Sequence, residues 1–318
     1  MMKSEVKDYK SITTKLAIQL AAPHTWAASI CPALFGIIYC WQQKLPLSIS
    51  KGIFLFLACI LLQSAVNTMN DYFDFVKGTD SDADHVEVSD AVLIYGHIRP
   101  KSALILGCMY LTGGIVCGLI GCIGSGAVPI VIGAIGATVI VLYSGGPLPV
   151  SYLPIGEAVS GGVMGGLIPL GIAACADGKV HWSILIFCIP MMISIGLIMM
   201  HNNGCDIEKD NKAGRHTLPV YLGRKKTLFL ARTLMVIWVL LIIVLPVTLM
   251  GVVGLVSCVI FIVSGVKIVV KQLQFRLEPE NRIQQMKGIA TGNLLVNAAY
   301  IAAFAADVVL EVVHGGLF

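Results

Sequence analysis

Seven carboxylates crowd into residues 67–90, NTMNDYFDFVKGTDSDADHVEVSD, directly after an apolar run. Asn67, Asp71 and Asp74 recur at i, i+4 and i+7, a spacing that stacks them on one helical face with Asn70 beside them. Gly78 is expected to end that helix, leaving Asp80, Asp82 and Asp84 in the following loop. A second stretch, HNNGCDIEKDNKAGRHTLPVYLG at 201–223, repeats the grammar with Asn203, Asp206 and Asp210 at i, i+3 and i+7, and Gly214 and Pro219 mark its end. Carboxylates this dense repel one another unless something positive joins them, and an all-oxygen donor set favours a hard cation such as Mg²⁺. Magnesium is usually held by one or two carboxylates together with substrate phosphates, so two carboxylate sets facing each other across a pocket suit a Mg²⁺-diphosphate. Lys77, Arg99, Lys209, Lys212 and Arg215 lie near the acids and are candidates for the remaining phosphate charge, arginine being suited to bidentate contact. One cluster alone would read as ordinary solvated loop acids, whereas two with matching grammar argue for a site. Asp82, Asp84, Glu87 and Asp90, beyond the break, read as loop charge.

The elements that must position these groups are membrane spans. Of the 318 residues, 57% are hydrophobic and 13% charged, and the mean hydropathy is +0.85, outside the range of soluble globular domains. Apolar stretches long enough for about 30 Å of hydrocarbon fall at residues 16–41, 52–73, 102–123, 126–143, 155–176, 182–202, 227–247, 250–270 and 288–312. That predicts an all-α, polytopic bundle of nine transmembrane helices around a central cavity, one unit over residues 1–318, because the alternating pattern of a barrel is missing. The first span carries Pro23 and Pro32 and is too long for a signal-peptide core, so it is expected to be retained. With the N-terminus inside, the inner segments carry 19 of the 22 Lys and Arg residues, and only Lys44, Lys51 and Lys179 fall outside. The positive-inside rule then places both acid-rich loops in the cytoplasm, where carboxylates stay hydrated. The net charge of +4 is too small to imply nucleic acid. The 10 cysteines form no C-x-x-C pair and lie almost entirely in spans, as small packing residues do.

These residues resemble the UbiA superfamily of intramembrane aromatic prenyltransferases. The family's N-D-x-x-D motif is similar to Asn70, Asp71 and Asp74, and its D-x-x-x-D motif to Asp206 and Asp210. The resemblance implies nine transmembrane helices with both motifs on cytoplasmic loops and covers nearly the whole chain. NDYFDFVKGTD is similar to the branch that prenylates 1,4-dihydroxy-2-naphthoate on the route to menaquinone, in which a Gly precedes the distal Asp; here these are Gly78 and Asp80, so Asp80 joins the metal candidates. YSGGPLPVSYLPIGE at 143–157 resembles the Tyr-x-Gly-Gly-Pro-x-Pro segment of the same branch. Two departures bear on the acceptor: the opening Arg-Pro-x-Thr of many relatives is Ala22-Pro23-His24-Thr25 here, and the loop after the first motif reads VLIYGHIRPKS.

The chemistry this implies is Mg²⁺-dependent transfer from a polyprenyl diphosphate to an aromatic acceptor. Asp71, Asp74, Asp206 and Asp210 would hold metal, and Asn67, Asn70, Lys77, Asn203, Lys209, Lys212 and Arg215 the diphosphate. An allylic cation requires a dry cavity, and Tyr143 at the end of the fourth span is placed to face it with its ring. Tyr152 reads as an interfacial belt residue. His97, His201 and His216 are candidate proton acceptors or polar boundary residues. SGGVMGG at 160–166 permits close helix approach. The acceptor is left open between dihydroxynaphthoate and a hydroxybenzoate, a homogentisate, haem b or a glycerol phosphate. A divalent-cation transporter is the rival class, although transporters place their acids near the midplane; the D-G-x-x-A-R signature of lipid phosphotransferases is absent.

Overall fold

In a computed structural model the described residues are 9–77, 92–96 and 98–315. Lys10 and Ile98 form an isolated parallel bridge, and the regular elements are helical. A short α1 (Thr14–Leu20) meets α2 (Ala27–Gln42) at a corner where Ala22 takes a left-handed conformation ahead of Pro23, and the pair is bent by 65°. After α3 (Ile49–Lys77) come α4 (Val92–Gly96), α5 (Pro100–Gly121) and α6 (Ala127–Ser144). Next, α7 (Gly156–Ser160), a π-helical stretch over Gly161–Leu167 and α8 (Ile168–Asp177) act as one rod, followed by α9 (Ile184–Cys205). The remainder is α10 (Ile207–Lys212), α11 (Leu218–Leu222), α12 (Arg224–Met250), α13 (Leu255–Ser264), α14 (Val266–Gln274) and α15 (Arg282–Val313).

Among the described residues, 7 helices are long and apolar enough to cross a membrane, or 8 if the bent α1–α2 pair counts as one. Nine separate apolar helices were expected. Two of them are merged in one apolar stretch of 41 residues, Arg224–Ser264. That stretch is not straight. Gly251 has φ of 58°, and a Cβ on Gly254 would come within 2.3 Å of the Pro246 backbone.

Helix packing follows the distribution of small residues. Gly107, Gly114 and Gly121 recur every seventh residue along α5 and face Met69, Leu62 and Leu55 of α3; a Cβ at these glycines would approach those side chains to 3.0, 2.7 and 2.5 Å. Without a hydrophobic drive between helices in lipid, such close approach supplies the dispersion contact that holds them. The SGGVMGG stretch also packs closely, because a Cβ on Gly161 or Gly165 would come within 2.3 or 2.5 Å of the Met192 backbone on α9. The central core is aromatic: Phe35 of α2 lies 5.1 Å from Phe304 and 5.5 Å from Tyr300 of α15, ring centre to ring centre. Three buried polar side chains there are paired across helices, Trp238 donating to Asn297 at 3.2 Å and Asn297 to Ser194 at 3.0 Å.

The alternation of helices brings the C-terminal ends of α3, α6 and α9 to one end of the bundle with the N-terminal ends of α7 and α15. A second, smaller core at this end, formed by Leu20, Val92, Leu93, Ile98 and Ala103, pins α4 against α1 and α3. The acid-bearing turns therefore stand on braced helices.

Candidate active site

The final two turns of α3 spread their polar side chains over several neighbours. Asn67 donates to the Ala21 carbonyl at 2.9 Å and to Thr25 Oγ1 at 2.8 Å, so its amide braces the α1–α2 corner. Asp71 is buried and accepts from the Leu93 backbone N–H at 3.3 Å, which ties the motif to α4. Asn70 donates to Asp74 Oδ2 at 3.0 Å and accepts from Ser144 at the end of α6 at 2.7 Å.

The second motif does not keep the single face expected of it. The helix breaks at Asp206, where φ is −101° and ψ 15°, and α9 gives way to α10. That break turns the three groups toward different partners. Asn203 donates to Glu157 Oε1 at 2.8 Å, Asp206 receives Arg282 Nε at 3.0 Å on both oxygens, and Asp210 faces Arg215. Arg282 also donates to Asn202 at 2.6 Å.

Arg215 joins the two motifs. Its Nη2 donates to Asp74 Oδ1 at 2.5 Å and its Nη1 lies 3.8 Å from Asp210 Oδ1, while its guanidinium carbon stands 4.8 Å from the centre of the Tyr152 ring. Ser144, Asn70, Asp74, Arg215, Asp210 and Thr217 thus form a continuous polar chain from α6 through α3 to α11, with Thr217 donating to Asp210 at 3.4 Å. The Asp210 carboxyl is pushed up to about 7 by burial, against the pull of Arg215. Tyr152, expected at the membrane interface, is a stacking partner of this arginine.

Among the described residues three buried polar atoms at the site have no hydrogen-bond partner: the Tyr143 hydroxyl, Glu157 Oε2 and Arg215 Nε. The Tyr143 hydroxyl lies beside Gly156, where an added Cβ would meet it at 4.0 Å. Buried polar groups are rarely left so, and several together mark a place where a polar ligand makes the missing bonds.

The remaining expected groups divide. Lys209 is half-buried near Asp210, whereas Lys212 is exposed. The side chain of Lys77, together with Gly78, Asp80 and His97, lies outside the described residues. His201 is buried, with Nδ1 2.8 Å from the Leu197 carbonyl in its own helix, and His216 is exposed. Glu157 and Arg282 were not singled out from the sequence. Glu157 had a signal, because it is the single acid between Asp90 and Asp177 and falls in an apolar stretch. Arg282 had none, since it lies 76 residues from Asp206.

Among the described residues no three His, Cys, Asp or Glu side chains are gathered closely enough to hold a metal ion by themselves. The donor set nevertheless fits magnesium in the form in which it accompanies a diphosphate. Asp74 and Asp210 supply hard oxygens on either side of a guanidinium, and phosphate oxygens and water complete such an ion's shell.

A model of the UbiA prenyltransferase family matches residues 29–304, and the protein belongs to that family. A 1,4-dihydroxy-2-naphthoate octaprenyltransferase of Bacillus subtilis is 35% identical over 211 residues, 65% of this chain and 66% of that protein. The UbiA prenyltransferase domain-containing protein 1 of Danio rerio is 25% identical over 63% of this chain and 59% of its own length. The match thus spans slightly less than two thirds of these curated relatives. A solved UbiA homolog from Archaeoglobus fulgidus, bound to GPP and Mg²⁺, has a TM-score of 0.62 at 16% identity over 92% of this chain and 99% of that one. The apo UbiA homolog from Aeropyrum pernix K1 reaches 0.64 at 15% identity over 89% and 98%. At those identities the likeness establishes the fold, an all-helical membrane bundle.

Proposed function

We propose that the protein transfers a polyprenyl group from a polyprenyl diphosphate to an aromatic acceptor, 1,4-dihydroxy-2-naphthoate, with loss of CO₂ and release of diphosphate. The observation that carries this reading is the convergence of both Asp motifs on Arg215. A guanidinium can pair with phosphate oxygens while the carboxylates on either side of it pair with a divalent ion. The Bacillus subtilis relative named for that acceptor and the Archaeoglobus fulgidus structure named for GPP and Mg²⁺ support it.

In this scheme Asp71, Asp74, Asp206 and Asp210, with Asp80, hold Mg²⁺. When bound, the ion supplies charge neutralisation to the departing diphosphate. Arg215, Lys209, Lys212 and Lys77 bind phosphate oxygens, Arg215 by turning from the carboxylates toward the ligand. Asn70 orients Asp74, Asn67 braces the helix that carries both, and Asn203 fixes one oxygen of Glu157. Tyr143 presents its ring to the allylic carbon as the C–O bond breaks, and the surrounding apolar helices exclude the water that would quench it. Glu157, with its second oxygen uncommitted, accepts the proton of the acceptor hydroxyl as the ring attacks.

We also read nine crossings with the site open to the cytoplasm. The bent α1–α2 pair counts as one, and the glycine break at 251–254 divides the 41-residue stretch into two antiparallel passes. The bias of Lys and Arg toward the acid-bearing end supports the orientation. Membranes containing the protein, incubated with Mg²⁺, a polyprenyl diphosphate and a panel of aromatic acids, test the whole reading by mass spectrometry. The expected product is the prenylated, decarboxylated naphthalenediol, and EDTA should stop its formation. Turnover of a different acid reassigns the acceptor, and full activity in chelator removes the metal.

A further inference from the structure

A cavity of about 640 Å³ opens between α14 and the first turns of α15, and Lys267, Lys271 and Lys287 line it with Glu280 as the one acid among its lining residues. It lies at the same end of the bundle as the aspartates, because Arg282, between two lining residues, holds Asp206, and Arg224 donates to the Leu277 carbonyl in the α14–α15 connection at 2.8 Å. Lysines at helix ends are ordinary where they only lift their charge into the interface. Here they converge from two helices: Lys267 and Lys271 sit one turn apart on α14, and Lys287 stands on the facing helix.

The second observation is Gln272. Its side chain lines the cavity and is 3% exposed, yet neither its Nε2 nor its Oε1 has a hydrogen-bond partner among the described residues. Its amide packs against the bare backbone of Gly288, where a Cβ would come within 1.7 Å of Nε2. A buried amide with both atoms uncommitted is costly unless a ligand meets it. The remaining wall is the N-terminal turn of α15, where the Arg282 N–H is bonded to the Pro279 carbonyl and the helix dipole favours an anion.

We propose that this cavity binds the phosphate headgroup of an anionic phospholipid of the surrounding leaflet. The three lysines take the phosphate charge, the Gln272 amide shifts to donate to a phosphate oxygen, and Ile268 and Ile283 on the walls meet the glycerol and acyl portion. Basic pockets between transmembrane helices at this membrane face are suited to such headgroups, and an excess of two positive charges sets the preference against zwitterionic lipid.

The test uses the full-length protein in nanodiscs of phosphatidylcholine with and without phosphatidylglycerol, with native mass spectrometry of the lipids retained on release. Wild type should keep one phosphatidylglycerol in preference to phosphatidylcholine. Each of Lys267→Gln, Lys271→Gln and Lys287→Gln should weaken retention about fivefold, whereas Lys225→Gln with Lys226→Gln, which removes charge at the same end outside the cavity, should leave it unchanged. Gln272→Glu, similar in size, should abolish retention by repulsion, and an unchanged melting temperature separates that loss from unfolding. Equal losses in the cavity and control variants, or undiminished binding in the triple cavity variant, would overturn the site. Inorganic phosphate that displaces the lipid at matched concentration would overturn the lipid assignment in favour of a soluble phosphate ligand.

Discussion

Arg215 is the residue on which the site turns, because it offers one positive charge to two carboxylates that would otherwise repel across the cleft. Removing it by Arg215→Gln leaves Asp74 and Asp210 without their shared partner and removes the proposed phosphate ligand. Turnover should fall about 10²–10³-fold, the range for losing one preorganised electrostatic donor, with the protein still inserted; steady-state assays of variant membranes check both. Asp210 predicts a pH dependence. Its carboxyl titrates near 7 because burial disfavours the ionised form, so below that value a metal must displace a proton and above it need not. Mg²⁺ affinity should therefore rise between pH 6 and pH 8, and Asp210→Asn should flatten that rise in a calorimetric titration. Tyr143 has a hydroxyl that no group among the described residues holds. Tyr143→Phe should thus keep most of the activity that Tyr143→Ala loses, whereas equal losses would assign the role to the hydroxyl. At this scale residue type and spacing pointed to the acids and to Arg215, and the structure brings Asp74, Asp210 and Arg215 together. Arg282 and Ser144 were not legible in that way, because only folding brings them beside Asp206 and Asn70.

At the scale of elements, the pairing of α3 with α5 determines where the first motif stands. Leu55, Leu62 and Met69 climb α3 at the same seven-residue interval as Gly121, Gly114 and Gly107 descend α5, and Asp71 lies two residues beyond the last contact. Gly114→Val puts a branched side chain where even a Cβ would meet Leu62 at 2.7 Å. Overpacking of this kind costs about 1–3 kcal/mol, and a lowered melting temperature in detergent, with activity lost in proportion, is the expected result. The apolar lengths located these helices well, since hydrocarbon thickness sets a coarse and additive requirement. They did not reveal the break at Asp206, which separates the faces of Asn203 and Asp210: Gly204 stands two residues before it, but a single glycine in a helical pattern is tolerated and does not by itself mark an end. The π-helical turns at Gly161–Leu167 were hidden too; they lie where the Met192 backbone of another helix approaches Gly161 and Gly165.

For the molecule as a whole, length becomes a variable of its own. The 29 residues of α3 measure about 43 Å at helical rise, well beyond the 30 Å or so of a hydrocarbon slab. The surplus is the segment that bears Asn70, Asp71 and Asp74, so one continuous rod is both anchor and wall of the candidate site. Its height above the lipid tails is fixed by where the apolar part comes to rest. A thicker bilayer should draw the carboxylate turns toward oil, where ionised groups are costly, and a thinner one should lift them clear. Reconstitution in phosphatidylcholines of increasing acyl length should therefore lower turnover once the slab outgrows the apolar stretch, with little change in how much protein inserts. The lipid composition of the host membrane would then act as a rheostat on the enzyme, set by geometry and needing no effector.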